Sequence, residues 1–286
     1  MTERALERAL SGIRALVLDV DDTMLDTRAA MTEAGTHAAR ALWPDRADGH
    51  HHMAVRYYED PGRWFHRYAA GEITIERMRL ERLGDVARAF GVHLPEDPVE
   101  RYLAAYWPAF RRAQRLFDDV PGLLAATDAA GIEVALLTNS TTADTSLKLE
   151  ALGLAARFAE RVVTTDTLGF GKPDPRVYHE VCRLAGADPA MSVCVGDSLE
   201  WDVLGAIRAG LRAVWLDRAG TAPAVDSASP GASPRGTHRG PASTPTVARV
   251  SSLAEITGVL AVPAVTAVTA VPGDPGSRFG AAAGDR

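Results

Sequence analysis

The segment ALVLDVDDTML runs from an apolar stretch into Asp19, Val20, Asp21, Asp22 and Thr23. Side chains alternate along a strand, so Asp19 and Asp21 point the same way where such a strand leaves its core. Two carboxylates in one small space raise each other's pKa unless a cation neutralises them, so the pair implies a bound divalent metal or one protonated acid. A helix cap or turn is the competing reading, although a carboxylate triplet fused to an apolar run fits it poorly. The segment MSVCVGDSLEWDVLGA repeats the arrangement, with Gly196 for a tight exit, Asp197 at the tip and Asp202 at the start of a helix. Parallel strands bring their C-terminal ends to one edge, where open α/β sheets bind ligands, so Asp197 is expected to meet Asp19 and Asp21. Hard oxygen ligands of this kind suit Mg²⁺. Asp202 also has a simpler reading, as an acidic charge at a helix N-terminus.

Two further signals fall on rare residue types. Asn139 is the only asparagine, and Lys148 and Lys172 are the only lysines in a chain that otherwise uses arginine. In VALLTNS an apolar run ends at Thr138 and Asn139, a hydroxyl and an amide able to hold an anion's oxygens. In GFGKPDP a loop before a helix carries Lys172, a compact ammonium. Lys148 has no comparable setting.

These residues need elements to position them. Apolar runs of strand length at 13–18, 132–137, 161–163, 191–195 and 211–216 alternate with helical patterns at 144–152, 174–185 and 200–209, which predicts an α/β fold with a buried parallel sheet. The glycines at 153, 186 and 210 close those helices. Between Thr27 and about Leu116 the strand pattern stops, and apolar spacings of three and four predict an inserted helical bundle. The expected division is a core over 11–26 and 117–218, rejoined at 245–260, a helical cap over 27–116, and disordered linker and tail at 219–244 and 261–286, where prolines accumulate.

Composition excludes some classes. The net charge of −6 argues against a nucleic-acid partner, and 47% hydrophobic with 24% charged residues is globular. The first apolar run is too short for a secretion signal, and Pro263 breaks the Ala/Val/Thr run that ends at Val271, so neither export nor a membrane span is expected and the cytoplasm is the expected location. Cys182 and Cys194 lack metal-ligand spacing and read as small buried hydrophobes. No Walker loop, GxGxxG, zincin or GxSxG pattern is present, and the Asn139-Ser140-Thr141 glycosylation match is read as chance. The run His50, His51, His52 reads as a solvated helix edge.

DVDDT, LLTNS, GKPDP and VGDSLEWD, in that order over residues 13–218, resemble the haloacid dehalogenase superfamily of hydrolases, mostly Mg²⁺-dependent phosphatases. The resemblance implies a Rossmann-like core with a helical cap inserted after the first motif. It also implies Asp19 as nucleophile, Asp21 as general acid and base, Thr138 as phosphate ligand, Lys172 as charge stabiliser and Asp197 as metal ligand. The backbone carbonyl of Asp21 would complete the metal shell, with Asp202 in support. Asp21, kept protonated by its neighbours, would protonate the leaving oxygen and then activate water. Asp22 stands where many relatives carry Gly, and Trp201 where a small polar residue is common. The expected substrate is a small phosphorylated metabolite, a nucleotide or a sugar phosphate, chosen by the cap. Arg63, Trp64, His66 and Arg67 are candidate contacts there, although aromatics at helical spacing more often build a bundle core. Two alternatives stay open: a 2-haloacid dehalogenase, which needs neither a metal nor an acid at position 21, and a catalytically idle module on the same fold.

Overall fold

The computed structural model describes residues 3–220 and 247–261. Six strands, β1 (Ala15–Leu18), β2 (Glu133–Leu137), β3 (Val162–Val163), β4 (Ser192–Gly196), β5 (Arg212–Leu216) and β6 (Ala248–Val250), form one sheet in the order β3-β2-β1-β4-β5-β6. Every pairing is parallel. The order reverses at β1, which places the first motif between the ends of β2 and β4, at the switch point of an open α/β sheet.

Alternate residues of each strand enter different cores, as a sheet covered on both faces requires. Leu16, Leu18, Leu136, Val195 and Val214 pack under α1 (Glu3–Leu10), α7 (Val120–Ala130) and α13 (Leu253–Ala261). Ala15, Val17, Ala135, Leu137 and Cys194 face Val177, Val181, Val203 and Ala206 from the elements that follow β3 and β4. Burying each leucine fully contributes about 1.5–3 kcal/mol relative to exposure. Both cysteines are buried, as expected. The segment ERALERAL forms α1, whose Leu6 and Leu10 join the first core.

On the second face lies α11 (Pro175–Leu184), reached from β3 through α10 (Thr165–Leu168), whereas α8 (Thr142–Ala151) and α9 (Ala155–Phe158) send Leu149 and Phe158 into the first core. The helix expected at 200–209 differs from expectation: Leu199–Gly205 is a π-helical turn and only Ala206–Arg208, α12, is α-helical. The Tyr178 hydroxyl donates to the Trp201 carbonyl and diverts it from the ladder. Val203 N–H instead reaches back five residues to the Ser198 carbonyl, at 3.3 Å. A Cβ at Gly205 would lie 2.0 Å from the Tyr178 oxygen, so a glycine is needed for this arrangement.

Between β1 and α7 the chain forms α2 (Thr27–Leu42), α3 (His50–Glu59), α4 (Trp64–Ala69), α5 (Ile75–Phe90) and α6 (Pro98–Ala113). They enclose a separate core of alanines from α2 with Met53, Leu83, Val86, Tyr102, Tyr106 and Phe110. Asp26 caps α2 by accepting from Ala29 N–H, and Thr74 caps α5 by accepting from Arg77 N–H. The insert enters and leaves on two adjacent segments joined by a Leu25–Leu116 bridge and by Asp26 N–H donating to the Arg115 carbonyl at 3.1 Å.

His50 corrects the reading of the histidine run: it is buried, with Nε2 3.1 Å from the Trp43 carbonyl, while His51 and His52 are exposed. Its place on the inward face at the start of α3 is the cause. The linker and tail expected at 219–244 and 261–286 lie, apart from their first residues, outside the described residues, as does the run ending at Val271. Among the described residues no helix is long and apolar enough to cross a membrane.

Candidate active site

Asp19 follows β1 and is 6% exposed. Lys172 Nζ lies 2.7 Å from Asp19 Oδ1 and 2.7 Å from Asp202 Oδ1, and is itself only 2% exposed. A buried ammonium is tolerable only when paired in this way. Asn139 holds it in place: the side-chain amide donates to the Lys172 carbonyl at 3.0 Å and accepts from Lys172 N–H at 2.6 Å. Asn139 therefore lines the cavity but spends its carboxamide on the loop, a use different from the anion contact read from its type. A Cβ at Gly171 would sit 2.2 Å from Asn139 Oδ1, so glycine is needed for this clamp.

Gly196 does the same for Asp202. A Cβ there would fall 2.2 Å from the Asp202 carboxylate, which lies across the strand end and accepts from Ser198 N–H at 2.9 Å. Asp202 is 1% exposed, so it is a buried anchor for Lys172 rather than a surface helix charge. Asp197, one residue beyond Gly196, keeps exposed surface. Thr138 is buried at the end of β2, its hydroxyl accepting from Ser140 N–H at 3.2 Å.

Asp19, Asp197 and Asp202 each offer a carboxylate oxygen within 4.8 Å of the others. Loss of solvent, then repulsion from Asp19 and Asp202, raises the Asp197 pKa to about 8. Loss of solvent also dominates at Asp19, where the Lys172 charge offsets it only in part, and the pKa rises to about 7. Asp19 Oδ2 is buried without a hydrogen-bond partner. Crowded hard-oxygen donors with one orphaned oxygen fit a small divalent cation of the Mg²⁺ kind.

Asp21 departs from expectation. Its side chain is not among those clustered oxygens but is bound by Lys148, whose Nζ lies 2.7 Å from both carboxylate oxygens, and by the Thr27 hydroxyl at 2.7 Å. Burial alone would raise its pKa, but the Lys148 charge and hydrogen bonds outweigh that and hold the carboxyl below its usual range. The expectation of an Asp21 kept protonated by its neighbours is thus overturned for this state. Lys148, given no role from sequence, is a buried ion-pair partner at the site, 5% exposed. The signal was available: it is one of the only two lysines, and it shares a face of α8 with Asp144, four residues earlier.

Asp22 adopts φ of 60°, the left-handed region that favours glycine. Its carboxylate accepts from Arg28 N–H at 2.8 Å and from the Tyr58 hydroxyl of the insert. Further ties between insert and core are Gly171 N–H to the Ala69 carbonyl at 3.1 Å, and Arg79 to Asp144 at 2.8 Å.

Between sheet edge and insert lies a cavity of about 550 Å³ lined by Asp19, Asp21, Thr138, Asn139, Lys172, Asp197 and Asp202 and by side chains of α3 to α6. Of the four insert residues named from sequence, Arg63 and His66 line it, with His66 4.5 Å from the Trp201 ring and 3.5 Å from Glu200. Trp64 and Arg67 are tied to Asp85 and Glu72 instead. Trp201 thus forms part of the seam with the insert, packing also on Phe65 at 5.8 Å.

A family model for haloacid dehalogenase-like hydrolases matches residues 13–210, which contain every one of these site residues. The chain belongs to the haloacid dehalogenase-like hydrolases. This hydrolase is 32% identical over 243 residues to the phosphoserine phosphatase of Thermus thermophilus, covering 76% of the chain and 94% of the relative. It is 29% identical over 204 residues to the phosphoglycolate phosphatase of Mesorhizobium japonicum, covering 71% and 82%. Among solved structures it resembles the HAD-hydrolase YfnB of Bacillus subtilis bound to magnesium, with TM-score 0.63, 21% identity and coverage of 87% and 99%. A structure described as a dehalogenase is similar at TM-score 0.61 and 21% identity, covering 87% and 97%. At such identity the structural likenesses speak for the fold.

Proposed function

We propose that this hydrolase is a Mg²⁺-dependent phosphatase that cleaves small phosphate monoesters through an aspartyl-phosphate intermediate, with the helical insert acting as its cap. The observation that carries the reading is the unpartnered Asp19 Oδ2 on a carboxylate whose other oxygen is fixed by Lys172. A nucleophile needs a free lone pair and a fixed orientation, and this residue has both. The relatives named as phosphatases support the same chemistry.

Asp19 and Asp197, the backbone carbonyl of Asp21 and, in support, Asp202 would hold Mg²⁺. When bound, the ion supplies positive charge that offsets the repulsion between a carboxylate and a phosphate dianion. Lys172 adds a second charge from the protein, and Thr138 presents its hydroxyl to a phosphate oxygen. Asp19 Oδ2 forms the new P–O bond as the ester P–O bond breaks and the leaving oxygen takes a proton from Asp21. In the second half-reaction Asp21 accepts a proton from the water that attacks the acyl phosphate. The ionised Asp21 held by Lys148 is already in the form that this second step requires. For the first, the carboxyl must be protonated, which loosens its hold on Lys148.

A 2-haloacid dehalogenase makes no use of an acid at position 21, whereas here Lys148 and Thr27 are both committed to positioning one. The test is release of phosphate from an aryl phosphate with Mg²⁺ and with chelator, using wild type and Asp19→Asn. Activity that needs the metal and disappears in the variant supports the reading. A dehalogenase would ignore chelator, and an idle module would release nothing.

A further inference from the structure

Resting on the phosphatase reading, we propose that the physiological leaving group carries an apolar ring, seated on the insert wall formed by Ile75, Leu103 and Trp107 while the phosphate lies at Asp19. One continuous cavity is lined by Asp19, Thr138 and Lys172 at the sheet edge and by Ile75, Met78, Leu103 and Trp107 from α5 and α6. Its volume, about 550 Å³, falls in the range that encloses drug-sized ligands, roughly 300–1,000 Å³. A phosphoryl group bearing a two- or three-carbon tail leaves most of that space unfilled.

The chemistry of the wall points the same way. Ile75, Leu103 and Trp107 are only half buried although they are large and apolar, and the cavity is where they meet open space. The charged groups beside them are already committed to the protein. Arg79 is bound to Asp144 at 2.8 Å. Asp60 caps α4 by accepting from Trp64 N–H at 3.2 Å and Phe65 N–H at 2.7 Å. Arg82 donates to the Tyr57 and Tyr58 carbonyls and lies 4.2 Å from the centre of the Tyr57 ring.

A free amino acid or a second carboxylate would need unspent charges in this wall, and it would face Asp60. What the wall leaves open is apolar surface. Arg82 Nε is buried and faces Asp60 Oδ1 at 3.9 Å, and the Asp60 carboxylate repels an anion from this wall. An uncharged ring matches the surface, and stacking or edge contact with Trp107 would orient it.

The test compares 2-phenylethyl phosphate with ethyl phosphate, whose leaving alcohols are close in basicity, so that the difference reports the ring rather than the chemistry. The expected result is a kcat/KM at least about tenfold higher for the phenylethyl ester, the scale on which an apolar pocket rewards added apolar surface. Trp107→Ala should lose far more on the phenylethyl than on the ethyl ester, and Trp107→Phe should keep most of the preference. Leu103→Ser provides a second variant should Trp107→Ala fold poorly. Equal kcat/KM on the two esters, or a preference for O-phosphoserine or 2-phosphoglycolate over both, overturns the ring site and leaves the phosphatase reading standing. If wild type releases phosphate from none of these esters with Mg²⁺ present, the phosphatase reading falls and the ring site with it.

Discussion

Lys148 Nζ and the Asp21 carboxylate form a symmetric ion pair, the nitrogen 2.7 Å from each oxygen, across 127 positions of sequence. The pair joins α8 to the end of β1, where Asp19 lies. Asp144, one turn earlier on α8, binds Arg79 of the insert, so a single helix face touches both Asp21, the proposed acid–base residue, and the insert.

Lys148→Met should therefore slow phosphate release by about 10- to 100-fold through loss of Asp21 positioning, a part of the roughly 100- to 10,000-fold that acid–base catalysis supplies. Lys148→Arg, which can still form a two-pronged contact, should lose less. Steady-state kinetics alongside circular dichroism checks this; an unchanged kcat in a folded Met variant removes Lys148 from the machinery.

Asp21→Asn should keep Mg²⁺ affinity nearly intact while turnover falls by roughly 100- to 10,000-fold, because the expected metal contact there is the backbone carbonyl and only the proton transfer is lost. Calorimetric titration with Mg²⁺ measures the first quantity. A parallel collapse of metal affinity would contradict the assigned role.

The raised pKa values of Asp19, about 7, and Asp197, about 8, give a pH dependence with a definite sign. Without metal, the folded state binds more protons than the unfolded chain from pH 4 upward, so the contribution of these two groups to stability falls as pH rises toward 8. Mg²⁺ competes with those protons, so its apparent affinity should increase over the same interval and its binding should release protons. Thermal melts of the metal-free and Mg²⁺-loaded protein between pH 5.5 and 8.5, a window set about those values, should diverge with rising pH. Curves that stay parallel would refute it.

Gly171→Ala introduces a methyl group 2.2 Å from Asn139 Oδ1 and must break the clamp on Lys172. The expected cost is about 1–3 kcal/mol of stability, as for other overpacked buried sites. kcat should drop as well, since the ammonium loses its fixed backbone. Gly122→Ala, where the structure offers open space, is the control and should leave the melting temperature within a degree or so.

Much of the site was legible because a parallel sheet converts strand ends into neighbours. Asp19, Thr138 and Asp197 sit on or just past β1, β2 and β4, so backbone pairing alone gathers them. Lys172 came from its rarity and Asp202 from its spacing. Lys148 was missed although it is as rare as Lys172, because its partner Asp21 lies at another strand end and nothing local to α8 names that partner. Asn139 was legible as a site residue but not in its use, since a type that can hold an anion can equally hold a backbone, and the choice depends on where Gly171 brings the loop. His50 shows the same limit, as three consecutive histidines read alike until a helix turns one inward.

Thr27 is both the first residue of α2 and a direct hydrogen-bond donor to Asp21, one position past the paired segments that tether the insert. Any change in the angle of the insert about those two tethers would therefore act on the Thr27–Asp21 bond. The Asp21 carboxylate is thus geared to the junction itself, and under the proposed reading the seating of the alcohol half of the ester would be mechanically linked to the readiness of the group that serves it.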